Sequence, residues 1–247
     1  MQGRIAHAAT QWLNAALGLV YPESCQLCGA AAGPAQGFVC QNCRDSVRFI
    51  ERPFCERCGR PFEGAITGEF ECATCLESKW HFLSARSAVV AKGNARTAIL
   101  DYKYKRALWF ETFLAGLLIE RAAPELAKAH WDAIVPVPLH PTKLREREFN
   151  QAERLAARLG KAVNLPVKRR WLKRIVPTST QTRLPRKERL ENVRNAFAMC
   201  SGIRLNGERI VLVDDVFTTG ATTSACARVL KAAGAAEVCV WTVARGI

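Results

Sequence analysis

The stretch RIVLVDDVFTTGATT, residues 209–223, governs how the larger part of this chain folds. Its apolar run Ile210–Val213 has the near-continuous hydrophobicity of a strand covered on both faces, which is the pattern of a parallel α/β sheet. Two adjacent carboxylates, Asp214 and Asp215, follow at the carboxyl end, where their repulsion is a cost unless a cation or hydrogen-bond donors meet them. Thr218, Thr219, Gly220, Ala221, Thr222 and Thr223 then lead into a helix. The first amides of a helix lack backbone partners and carry partial positive charge, so this loop reads as a phosphate seat. Gly220 permits close backbone approach, and the threonine hydroxyls donate to phosphate oxygens. A carboxylate pair beside that seat accepts hydrogen bonds from vicinal hydroxyls. One molecule with both a phosphate and a diol, such as ribose 5-phosphate, would satisfy the whole loop. A plain capped turn needs one Asp and no run of threonines.

The same grammar extends outward. ARSAVVA (85–91) reads as a strand, residues 94–122 as helical, DAIVPVPL (132–139) as a strand and residues 149–160 as a helix. TTSACARVLKAAG (222–234) then reads as a helix and AEVCVWTVA (236–244) as a last strand. Alternating strand and helix predicts one α/β domain over residues 80–247, a parallel sheet flanked by helices, with its ligand crevice beyond the strands' carboxyl ends.

Ahead of it lies an internal repeat, CQLCGAAAGPAQGFVCQNC (25–43) and CERCGRPFEGAITGEFECATC (55–75). Each half reads C-x-x-C-G, a glycine-containing loop, then G-x-F-x-C-x-x-C. A C-x-x-C turn puts two sulfurs on one side of a tight knuckle, and two knuckles make a tetrahedral four-thiolate site suited to zinc. Because each unit holds both of its knuckles, Cys25, Cys28, Cys40 and Cys43 are assigned to one ion and Cys55, Cys58, Cys72 and Cys75 to a second. Cross-braced pairing is the alternative. A closed four-sulfur site leaves no position for substrate, so this module, residues 23–78, reads as structural or as an interaction surface. The remaining cysteines, Cys200, Cys226 and Cys239, read as small buried residues.

Thirty-six Lys and Arg against twenty-two Asp and Glu give a formal charge of +14, and eight thiolates with two divalent ions bring it to +10. Between Lys143 and Arg194 sixteen basic residues face five Glu, so most of the excess lies in one segment suited to polyanions. Within it KRRWLKR sets Trp171 among five cations, which fits single-stranded nucleic acid as well as it fits a core tryptophan with solvated neighbours. Residues 1–22 read as a short amphipathic helix with Ile5, Trp12, Leu13, Ala16 and Leu17 on its apolar side. Such a helix packs on its own protein more often than on a membrane surface. It is too polar for a secretory leader and too short for a transmembrane segment. The expected location is cytoplasmic, with the inner membrane face as a peripheral option.

Strand, acidic pair, TTGAT loop and helix resemble the phosphoribosyl pyrophosphate (PRPP) signature of type I phosphoribosyltransferases. YPESC (21–25) leading into the cysteine pairs, VPVPLHPTKLREREFNQAERLA (135–156) and TQTRLPRKERLENVRNAF (180–197) extend the likeness. From about Leu19 to Val243 the chain resembles the ComF competence family. That resemblance implies a double zinc ribbon joined to a type I phosphoribosyltransferase-like domain and a role in uptake or use of external DNA. It implies PRPP or ribose phosphate as ligand, two structural zinc ions, and Mg²⁺ bridging pyrophosphate and ribose oxygens. Asp214 and Asp215 would meet the ribose hydroxyls and Thr218–Thr222 the 5-phosphate.

Pyrophosphate is expected at the loop after DAIVPVPL, where residues 139–147 supply His140, Lys143, Arg145 and Arg147. Pro138 and Pro141 stiffen that loop and remove amide donors, a departure from the glycine-rich loops of other transferases. His140 reads equally as a loop histidine or a polar contact. The resemblance extends a pyrophosphate role to Lys103 and Lys105. PTSTQTRLPRKERLENVRNAF (177–197) takes the place of a mobile hood, with Arg183, Arg186, Lys187 and Arg189 facing a polyanion and Asn192 and Arg194 anchoring its base, a solvated basic loop being the alternative. Three functions follow: a transferase acting on PRPP, a non-catalytic PRPP sensor or scaffold, and a direct single-stranded DNA binder. The partners implied are a DNA-uptake helicase or recombination proteins.

Overall fold

A computed structural model describes residues 24–32, 38–64, 66, 68–177 and 195–247. The expected N-terminal helix and the hood residues Arg183, Arg186, Lys187, Arg189, Asn192 and Arg194 lie outside them. At the centre are four parallel strands in the order β1-β6-β5-β2: β1 (Ser84–Val90), β2 (Ala133–Pro136), β5 (Arg209–Phe217) and β6 (Glu237–Arg245). The register sets Val211 beside Ile134 and Cys239, so β5 is central and buried on both faces, as its apolar run requires.

Alternate residues of β5 feed two cores. Val211 and Val213 join one with α3 (Gly93–Tyr104), α4 (Phe110–Leu126) and α6 (Gln151–Val163). Ile210 and Leu212 join the other with α7 (Ala221–Ala232) and a two-stranded antiparallel hairpin, β3 (Leu172–Arg174) and β4 (Phe197–Met199).

Among the described residues the second face has one long helix, α7, and the ribbons explain why it is not bare. In each ribbon the first C-x-x-C knuckle closes with an antiparallel bridge, Ser24 with Ala31 and Phe54 with Pro61. Each then meets a short helix carrying its fourth cysteine, α1 (Gln41–Asp45) and α2 (Ala73–Glu77). Cys25, Cys40 and Cys43 belong to the core of the three-helix face, while Cys55, Cys58 and Cys75 belong to the opposite one. Between the ribbons the chain crosses the β1 edge, where the Ile50 amide donates to the Ala88 carbonyl (2.9 Å) and the Val90 amide to the Arg48 carbonyl (2.9 Å). The double ribbon therefore straddles the sheet and covers an edge that would otherwise template aggregation.

The two repeats dock unequally. Gly29 and Gly59 both hold positive φ after the second cysteine of a knuckle (76° and 65°). A Cβ on Gly29 would meet nothing, whereas on Gly59 it would lie 2.6 Å from the Ala85 carbonyl of β1.

Other expectations need correction. The helical reading of 94–122 breaks into α3 and α4, because at Arg106 (φ 55°) the chain leaves helical geometry and the Asp101 carbonyl accepts from both Lys105 and Ala107. A further helix, α5 (Pro141–Arg147), occupies the presumed loop, with Pro141 at its first position, where no amide is needed. Cys226 and Cys239 are buried, but Cys200, just past β4, is only half-buried.

Candidate functional site

The sulfurs answer the pairing question first. Cys25, Cys28, Cys40 and Cys43 form one group and Cys55, Cys58, Cys72 and Cys75 another, with all four sulfurs of each within 4.8 Å. Pairing is sequential, not cross-braced. Zinc–sulfur bonds of about 2.3 Å in a tetrahedron set sulfurs about 3.8 Å apart. Cys28 and Cys40 stand at 3.6 Å and Cys58 and Cys72 at 3.8 Å, so both groups fit the ion. Burial raises the Cys25 thiol, but amides of Cys40, Leu27 and Cys28 more than offset it and hold the group at about 6. Burial and its three sulfur neighbours push Cys43 far up instead. Backbone amides thus favour the thiolate at Cys25, and zinc would supply the counter-charge that Cys43 lacks.

At the other site β5 carries Asp214 and Asp215 two to three residues before its last residue, Phe217. The Asp215 amide donates to Asp214 Oδ1 (2.9 Å), which fixes the pair's mutual orientation. Lys103, on the last turn of α3, brings Nζ to 2.7 Å from Asp215 Oδ2, both side chains being largely buried. Burial lowers the Lys103 ammonium, but Asp215 and Asp214 together raise it. Asp214 is pushed up to about 7 by burial and then by the charge of Asp215, against the pull of Lys103.

Past the pair, Gly220 takes φ 77° as the N-cap of α7. A Cβ there would lie 2.7 Å from the Phe217 ring and 2.8 Å from Trp80, so only glycine fits. Gly220 has no side chain to cap the helix, and Thr219 Oγ1 reaches only the Ala221 amide (3.4 Å). Asp214, Thr218, Gly220, Ala221, Thr222 and Thr223 surround a hollow of about 20 Å³, room for a single oxygen-sized atom. The arrangement offers amides and hydroxyls to an anion beside carboxylates that accept hydrogen bonds.

Other candidate residues fall elsewhere. Lys105, two positions from Lys103, points to solvent and pairs with Asp101 (2.9 Å). His140 caps α5, its Nδ1 accepting from the Thr142 amide (3.3 Å). Arg145 is exposed on α5, Lys143 pairs with Glu146 (2.7 Å), and Arg147 lies over the Tyr104 ring (5.0 Å). Trp171 is half-buried against the hairpin-side core, with Lys168 Nζ 5.7 Å from its ring centre.

Two residues escaped the sequence reading. Arg245, at the end of β6, is buried and donates from Nη1 to the Cys58 carbonyl (2.7 Å) and from Nη2 to Cys58 Sγ (3.3 Å). Its guanidinium also lies 4.7 Å from the Phe217 ring centre. Trp80, just after the last ribbon cysteine, stacks on Phe82 and presses on Gly220. A cation ending an otherwise apolar strand was the available signal for Arg245. For Trp80 there was none.

Comparison with known proteins places these features in context. Residues 16–76 match the double zinc ribbon domain. Competence protein F of Haemophilus influenzae is 29% identical over 85% of this chain and 92% of its own. DNA utilization protein YhgH of Salmonella typhimurium is 30% identical over 92% and 99%, and competence protein ComFC of Bacillus subtilis 27% identical over 84% of each. Among solved structures, a glutamine PRPP amidotransferase from B. subtilis is 22% identical over 53% of this chain and 25% of its own, with a TM-score of 0.35. A purine phosphoribosyltransferase from Pyrococcus horikoshii is 20% identical over 54% and 83%, with a TM-score of 0.34. A likeness of that size says nothing about chemistry. Relatedness along nearly the full length of the sequence relatives makes this chain a member of the ComF competence family.

Proposed function

We propose that the acidic pair and the threonine loop bind PRPP, or the ribose 5-phosphate it contains, in a phosphoribosyltransferase-like protein serving the uptake or use of external DNA. The names of the competence and DNA utilization relatives support the biological setting. One observation carries the ligand: two adjacent carboxylates, one held by Lys103, lie beside a helix start that has a glycine where a capping side chain would sit. The 5-phosphate would take the amides and hydroxyls of Thr218–Thr222, and the ribose hydroxyls would donate to the oxygens of Asp214 and Asp215 that internal partners leave free. Mg²⁺ would neutralise the pyrophosphate, with the same two carboxylates the nearest protein groups to hold it.

Any cation developing at C1′ near two carboxylates would be stabilised, so the site suits transfer as well as binding. The sensor reading has support of its own, since Lys103 neutralises Asp215 from within the chain. Isothermal titration of zinc-loaded protein with PRPP and Mg²⁺ tests the proposal. Saturable binding that Asp214→Asn abolishes is expected, and no binding by folded wild-type protein overturns it. Pyrophosphate release across a panel of bases then separates transferase from sensor.

A further inference from the structure

We infer that Arg245 fastens the phosphate loop to the second zinc site, so that metal in the Cys55–Cys75 cluster, and not in the Cys25–Cys43 cluster, holds Thr218–Gly220 in its ligand-ready form. The ligand arm of this inference rests on the function proposed above; the mechanical arm does not.

Three contacts tie loop and ribbon together. Arg245 bridges Cys58 and the Phe217 ring, as given above, and the Gly246 amide donates to the Phe217 carbonyl (2.9 Å). Trp80 lies against Gly220 from the chain leaving the second ribbon. A cavity of about 220 Å³ separates the two sites, lined by Cys58 and Cys72 on one side, Thr218 and Thr219 on the other, and Trp80 and Arg245 between. The loop is therefore braced across a gap and not packed solidly from below.

The brace depends on metal because its ribbon end is anchored on a metal ligand, Cys58. Four thiolates with one divalent ion leave the cluster at −2, a counter-charge for a buried guanidinium. Arg245 Nε is buried with no partner among the described residues, so the guanidinium's hold depends on the bonds to Cys58 and the Phe217 ring. Without the ion nothing holds the two knuckles in one geometry, so the Cys58 carbonyl and Sγ that anchor Arg245 lose their fixed positions. Phe217 and the residues after it lose their support. Among the described residues the first cluster has no such route: Asn94 Nδ2, at the start of α3 and a helix length away from Lys103, donates to the Cys43 carbonyl (3.3 Å), and Arg44 of α1 pairs with Glu120 of α4 (2.5 Å).

Hydrogen–deuterium exchange on the full zinc-loaded chain, with zinc per chain measured, tests this. Arg245→Met should keep two zinc ions yet speed exchange of peptide 216–224 by about tenfold, with β2 and the first ribbon unchanged. Arg245→Lys, which preserves a cation for Cys58, should recover much of the protection. Cys72→Ser should loosen the same peptide and Cys28→Ser should not. Unchanged loop exchange in a folded Arg245→Met protein overturns the inference, as does equal loosening by the two cysteine variants. If Arg245→Met does not fold, Phe217→Leu takes its place under the same criteria. For the ligand arm, affinity for ribose 5-phosphate should fall about tenfold in Arg245→Met. No binding by wild type contradicts the proposed function, while the exchange data still decide the brace.

Discussion

The ribbons and the acidic pair both concentrate negative charge, and they neutralise it in opposite ways. Each ribbon gathers four sulfurs and relies on an ion from outside the chain. The acidic pair draws its cation from inside, from Lys103 at the end of α3. A metal-closed cluster has no vacant coordination position, so it can brace but not react. A pair with one internal cation keeps one carboxylate incompletely satisfied, and Asp214, pushed up to about 7, is that group. On the function proposed above, the difference would make one region the scaffold and the other the receptor.

Zinc withdrawal should have the largest effect. Structural zinc contributes on the order of 10 kcal/mol to folding in small ribbons, so chelation should abolish cooperative unfolding of the double ribbon, read by circular dichroism against measured zinc content. Survival of a sharp transition without metal would erase the contrast. Next in size is Lys103→Met, which leaves Asp215 buried and unpaired and should lower stability by about 3–5 kcal/mol in denaturant titration.

The two aspartates should then diverge. Asp215→Asn strips Lys103 of its partner and destabilises, whereas Asp214→Asn removes a crowded charge and should stabilise the empty protein by about 1–3 kcal/mol while abolishing sugar-phosphate binding. The pH dependence carries the same signature. Asp214 holds its proton more tightly folded than unfolded, so its contribution to stability falls as pH rises from 3.8 to about 7 and then levels. Asp214→Asn should flatten that slope in thermal melts, and an unchanged slope would assign it to another group. The smallest expected effect is Lys105→Ala, which should cost less than about 0.5 kcal/mol and leave binding intact, because its pair with Asp101 is exposed.

Legibility in the sequence followed distance along the chain. Sequential sulfur pairing was readable because each unit is local, and the central strands were readable because Ile210–Val213 and Val238–Trp241 are apolar without interruption. The loop's backbone was readable from Gly220 and its threonines. The partner of Asp215 was not, since Lys103 lies more than a hundred residues away and no spacing rule links them. Nor was the straddling of the sheet by the ribbons, which depends on Ile50 and Val90 finding each other's strand. The break at Arg106 hid for another reason: the residues around it are ordinary helix formers, and tertiary packing overrode their preference.

A crystal structure of the zinc-loaded protein with PRPP and Mg²⁺ addresses the receptor assignment most directly. The account predicts the 5-phosphate on the amides of residues 218–222 and the ribose hydroxyls on Asp214 and Asp215. A ligand seated elsewhere, with the Asp214–Lys103 region unaltered and the loop empty, would contradict it.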